Sequence, residues 1–230
     1  MKSIVDEARN AKIEAIKLRD EKPPKYGEAA ALLNQMLIRI EQELVEYRKD
    51  SPAQSATEVE GKIAQQGVHL YGSLGGIYRR WGKLDESIAA YAAGAKLETD
   101  PRYPPKETYA STQLAVLRCL ANPSLIAEAA AVEESNTRRE LTLLRARIVR
   151  LCHGDVYKTA DLAVVSLLLC HPEWRTSLRD FVTMAKKRED EYALKVTFEV
   201  IQELTQRAKS LPPATQESLS HWEEAAHWPV

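Results

Sequence analysis

Apolar residues recur along most of this chain at the three- and four-residue spacing that gathers them on one face of an α-helix. From Tyr26 they fall at Ala29, Ala30, Leu33, Met36, Leu37, Ile40, Leu44 and Tyr47, a continuous stripe of helical period. Near the end, Tyr192, Leu194, Val196, Phe198, Val200, Ile201 and Leu204 are less regular, but they sit in a run, 189–211, with neither Gly nor Pro. No segment alternates polar and apolar residues between Asn-Gly or Asp-Gly turns, so strands are not expected. Prolines clump at 23–24, 101–105 and 212–213, with singles at 52, 123, 172 and 229, and proline interrupts helices because it lacks the N–H and crowds the preceding turn. The intervals predict helices near 3–20, 26–48, 56–81, 84–98, 105–121, 124–135, 137–152, 156–170, 174–187 and 189–209, with a short one near 216–227. The fold class that follows is all-α, built of antiparallel helical hairpins.

One interval carries a finer pattern. The stretch YGSLGGIYRRWGKLDESIAAYAAGAKLETDP, Tyr71 to Pro101, places Tyr71, Leu74, Gly75 and Tyr78 on a first helix and Gly82 at a turn. Leu84, Asp85 and Glu86 open a second helix, and Tyr91 and Gly94 lie on its inner face. This stretch resembles the tetratricopeptide repeat, a helix–turn–helix unit of about 34 residues. Ser87 stands where that family has alanine, and Pro101 comes two residues late. A fainter copy spans Leu144 to Pro172, with Arg147, Ile148 and Leu151 on its first helix and Tyr157, Ala160, Val164 and Leu167 on its second. A partial copy covers Tyr26, Glu28, Ala29, Leu33 and Met36, while 105–135 fits the pattern poorly. The resemblance implies an α-solenoid of ten or eleven helices over residues 1–209, followed by a distinct tail at 210–230. It also implies a reversible protein-interaction scaffold that performs no chemistry, of the kind that serves as an adaptor or as a regulatory subunit in enzyme, bacterial signalling or defence complexes.

Composition narrows the partners. The 230 residues carry 32 Lys plus Arg against 33 Asp plus Glu, a net charge of −1, which excludes a uniformly basic nucleic-acid coat and an acidic disordered solubiliser. The most apolar stretch, Leu162 to Cys170, is shorter than the roughly 20 residues that span a bilayer, and the charged beginning MKSIVDEARNAK is not a secretory signal. Cys119, Cys152 and Cys170 are an odd number of thiols at apolar positions, as expected of small buried thiols in a reducing cytoplasm.

The near-zero total hides a segregation of charge. The first helices of the four best-defined pairs (69–81, 105–120, 137–152 and 174–188) carry +2, +1, +4 and +4, whereas the second helices (83–98, 124–134, 155–170 and 189–209) carry −1, −3, −1 and −2. In the resembled family the first helices line the concave side, so the expectation is a basic groove for an acidic peptide segment. Its candidate contacts are His69, Arg79, Arg80 and Arg145, with Arg138, Arg175 and Arg179 at the margins. Nucleic acid is the competing partner, since arginines neutralise phosphates, but a sequence pI near 6.5 and the acidic second helices oppose it. Gly72, Ser73 and Gly76 stand where the chaperone-tail-binding members of the family need a lysine and asparagines.

Chemistry-bearing motifs are weak. Gly72-Ser73-Leu74-Gly75-Gly76 has no phosphate-loop lysine and follows no strand, so it reads as close helix packing. Cys152-His153 and Cys170-His171 would end successive helices at opposite poles, about 21 Å apart at 1.5 Å per residue, too far for one metal ion or a disulfide. No catalytic residue, metal or cofactor is expected. The tail holds Glu217, Glu223 and Glu224 with His221-Trp222 and His227-Trp228 and no Lys or Arg. Trp222 and Trp228 are its anchors: either a cap over the last helices, which a solenoid needs, or a docking segment for another chain, including a second copy.

Overall fold

In a computed structural model of the chain, which describes residues 3–50, 57–103, 106–209 and 221–228, every regular element is a helix. Eleven helices are described: α1 (Ile4–Asp20), α2 (Tyr26–Asp50), α3 (Glu58–Arg80), α4 (Leu84–Glu98), α5 (Tyr109–Ala121), α6 (Ser124–Ala131), α7 (Asn136–Leu151), α8 (Val156–Leu168), α9 (Trp174–Lys187), α10 (Glu191–Ala208) and α11 (His221–Ala226). None is long and apolar enough to cross a membrane.

Short polar side chains set where the helices start, by accepting from amides that have no partner within the helix. Ser3 takes the amide of Asp6, Thr57 that of Glu60, Ser135 that of Arg138, and Asp190 that of Ala193, while Asp155 accepts from both Tyr157 and Lys158. Two predicted boundaries move for this kind of reason. Glu98 accepts from the amides of Ala110 and Ser111 at 2.8 and 3.0 Å, so α5 begins at Tyr109 and not near 105. Ser135 caps α7, so the chain must leave α6 at Ala131 and turn before 135. Residues 216–220 of the predicted last helix, and the 212–213 proline pair, lie outside the described residues.

The chain forms two compact units, residues 1–114 and 115–230, divided within α5, where the sequence carries no linker. In the first, α1 pairs with α2, α3 packs on both, and α4 folds back on α3. Leu33, Ile40, Ile63, Leu70 and Ile77 are fully buried there, and each such side chain contributes about 1.5–3 kcal/mol by leaving water. The α3–α4 turn closes at Gly82, whose φ of +79° is a left-handed value that costs glycine nothing.

In the second unit α7 pairs with α8, α8 packs on α9, and α10 lies against α8 and α9. Its core includes Ile148, Leu167, Leu178, Phe181, Ile201 and Leu204. The short α11 rests on α10. Of the three thiols only Cys119 is buried; Cys152 and Cys170 are half-exposed because each follows the end of a helix, which corrects the expectation that all three are buried.

Candidate functional site

The residues of the Tyr71–Pro101 stretch meet across the α3–α4 pair. Tyr91 is fully buried with its ring over Gly75, Ser87 donates to the Gly75 carbonyl at 2.8 Å, and Gly94 faces Tyr71 and Ala110. Leu74 is buried in the core shared with α1 and α2. Tyr78 instead turns toward α2, where its hydroxyl takes a hydrogen bond from Asn34, and its ring stacks on Trp81 at the end of α3. Trp81, which the sequence pattern does not single out, also stacks on Tyr26 and carries the Lys83 ammonium 4.0 Å above its ring.

The seven candidate groove residues have separate fates. In the first unit, His69 lies 3.5 Å from the Glu107 carboxylate, which Gln65 also approaches at 3.5 Å. Arg80 is exposed, 3.5 Å from Asp20, and Arg79 is half-buried. Hydrogen bonds from Arg19 hold the Asp20 carboxyl below the usual carboxylate range, with Arg80 adding to the effect.

In the second unit Arg138 donates to the carbonyls of Ala129, Ala130 and Leu169 at 2.6, 3.3 and 3.4 Å. Arg145 donates to Ser166 at 3.1 Å and to Glu173 at 2.7 Å. Arg175 forms a two-pronged pair with Glu224 at 2.7 and 2.5 Å and covers the Trp174 ring. These three guanidiniums join elements of their own unit. Arg179 is exposed and has no partner among the described residues.

A different set of α7 residues faces outward together. Arg139, Thr142, Leu143, Ala146, Val149 and Arg150 are all exposed and fall on one side of the helix, opposite the buried Leu141 and Ile148. Leu143 is 65% exposed and Val149 41%, and Leu143 is the most open large apolar side chain among the described residues. Neither arginine has a partner among the described residues, and the stripe contains no acid; Glu140, beside it, is occupied by Arg118 at 3.5 Å. At 1.5 Å per residue the two arginines stand about 16 Å apart, with Leu143 and Val149 about 9 Å apart between them. The signal was in the sequence: Leu143 and Val149 break the period on which Leu141 and Ile148 lie.

The tail segment is seated on its own unit. Trp222 is 1% exposed, its carbonyl accepts from Thr205 at 3.2 Å, and Trp228 meets the edge of Trp174 at 6.0 Å between ring centres. Glu223 pairs with Lys209 at 3.2 Å, and His221 Nε2 lies 3.4 Å from Cys170 Sγ and 3.1 Å from the Leu167 carbonyl. A carbonyl only accepts, so with Nε2 donating to Leu167 the ring nitrogen left to accept from the thiol is Nδ1, 3.7 Å from Sγ. Burial pushes the Cys170 thiol up to about 11 and Cys119 up to about 12, leaving neither activated as a nucleophile near neutrality.

A buried ionic hub that sequence reasoning missed ties α2 and α3 to the 100–103 turn. Glu60 is wholly buried; its Oε1 accepts from the Tyr103 hydroxyl at 2.9 Å and lies 2.9 Å from Arg102. Arg48 completes it, pairing with Asp100 at 3.1 Å and reaching the Tyr103 hydroxyl at 3.4 Å. No group of three or more metal-ligating side chains is assembled among the described residues.

No protein-family model, curated protein or solved structure matches this chain.

Proposed function

We propose that this chain is a non-enzymatic interaction scaffold of tetratricopeptide-like hairpins, and that it holds an acidic segment of a partner protein along the outer face of α7. The order of helix packing supports the scaffold reading: in the first unit the α1–α2 pair is laid against α3, and α4 folds back on α3 as its hairpin partner. The observation that carries the site is the α7 stripe, two arginines with no partner among the described residues flanking two exposed aliphatic side chains. Charge brings an acidic segment to such a surface, and desolvation of Leu143 and Val149 holds it there.

The reading moves the expected basic surface from Arg138 and Arg145, which serve their own unit, to Arg139 and Arg150. A partner isolated by affinity capture from the native cell should be retained by the wild-type chain and lost by Arg139→Glu/Leu143→Ser/Arg150→Glu at unchanged helicity. Retention by the triple variant would refute the site. Loss of binding that tracks steeply with the logarithm of salt concentration would point to nucleic acid instead.

A further inference from the structure

We infer that residues 221–228 form an exchangeable anchor: the cradle that receives them, built by Trp174, Arg175, Thr205 and Lys209, also receives the same segment from a second copy of this chain, giving a reciprocal dimer. This inference is independent of the α7 site. The six-residue α11 is far below the length at which a helix persists alone, so its docking is an association between a segment and a site. What the segment offers is one deeply buried indole, two adjacent carboxylates and a second indole. What the site offers is a pocket for Trp222, Lys209 for Glu223, Arg175 for Glu224 and the Trp174 ring for Trp228.

Segment and site belong to one sequence, so two copies satisfy each other reciprocally with no new contact chemistry, the condition for a closed two-fold exchange. The length of the joining chain permits it. Within one copy the segment's start lies close to the end of α10, since Thr205 reaches the Trp222 carbonyl at 3.2 Å and Lys209 reaches Glu223 at 3.2 Å. Residues 210–220 join them, and a chain of that length spans up to about 40 Å when extended. Tethering gives the internal arrangement a millimolar effective concentration, so the wild-type chain is expected to be monomeric at micromolar concentration and to exchange only when crowded.

A charge-reversal pair isolates the exchange. Arg175→Glu sets two acids against each other inside one chain, and Glu224→Arg sets two arginines against each other. Both residues are exposed, and circular dichroism checks that each variant keeps its helicity. Mixed together, the two variants restore both pairs, but only between copies. Light scattering of the mixture should show a 1:1 species of about 52 kDa, twice the 25.9 kDa chain, associating at least about tenfold more tightly than either variant alone. The double variant Arg175→Glu/Glu224→Arg restores the pair internally and should remain a monomer. Separate chains in the mixture at about 200 µM, or equal dimerisation by each variant alone, would overturn the inference.

Discussion

The Tyr91 ring lies across the backbone of α3 at Gly75, so close that a Cβ on that residue would stand 2.6 Å from the ring. Tyr91 is fully enclosed and cannot swing aside. Gly75→Ala should therefore destabilise the first unit by about 1–3 kcal/mol through overpacking. Gly76→Ala, whose Cβ would meet only the Tyr91 hydroxyl at 3.6 Å, should be tolerated. Urea denaturation of the two variants side by side measures the difference.

The hub at Glu60 makes a second prediction. Glu60→Leu would leave Arg102 and Tyr103 facing an apolar wall, and breaking a buried pair on one side costs about 3–5 kcal/mol. Arg102 keeps partial access to water, which places the loss toward the lower end. Joint replacement of Glu60 and Arg102 by apolar residues should recover part of it, read as a non-additive term in a double-mutant cycle.

Asp155 gives a pH dependence with a defined sign. Burial pushes its carboxyl up, but bonds from the Lys158 side chain and from the amides of Lys158 and Tyr157 outweigh that and hold it below the usual carboxylate range. A carboxyl lowered by folding contributes stability that is present above its unfolded pKa, about 3.9, and disappears as pH falls through the lower folded value. Asp155→Ala should cost about 1 kcal/mol at pH 7, the ordinary worth of a helix cap, and its deficit relative to wild type should shrink below about pH 4. Thermal melts of both proteins between pH 7 and pH 2.5 follow this.

Alkylation should discriminate the three thiols. Cys152 and Cys170 are both half-exposed, but Cys170 is partly covered by His221 and its thiol is raised to about 11, and Cys119 is buried and raised to about 12. With iodoacetamide at pH 8, peptide mass spectrometry should find Cys152 modified first, Cys170 next, and Cys119 only after unfolding. Arg175→Glu, by loosening the tail, should raise the labelling rate of Cys170 alone.

Leu143→Ser tests whether the α7 stripe serves binding or folding. A side chain as open as Leu143 contributes little to the core, so the free energy of unfolding should change by less than about 0.5 kcal/mol while partner retention falls.

The helices themselves were legible because their start signals are local. Proline spacing and the glycine at 82 act within a few residues, and α4 and α9 fall at the ranges predicted for them. Side-chain roles were less legible. Arg138 and Arg139 are neighbours of identical chemistry, yet one turns inward to three carbonyls and the other faces solvent. That choice depends on which side of α7 meets α6 and α8, which formal charge summed along a helix does not encode. The Glu60 hub was hidden for a related reason: its members, at 48, 60, 100, 102 and 103, become neighbours only once α2 and α3 have packed.

That hub has an evolutionary corollary. A carboxylate sealed from water beside an arginine is tolerable only while both are present, so mutation at either position meets a fitness valley that the other must help to cross. Among sequences descended from a common ancestor with this one, positions 60 and 102 should therefore change as a pair, exchanging two opposite charges for two apolar side chains, with Tyr103 giving up its hydroxyl in the same lineages.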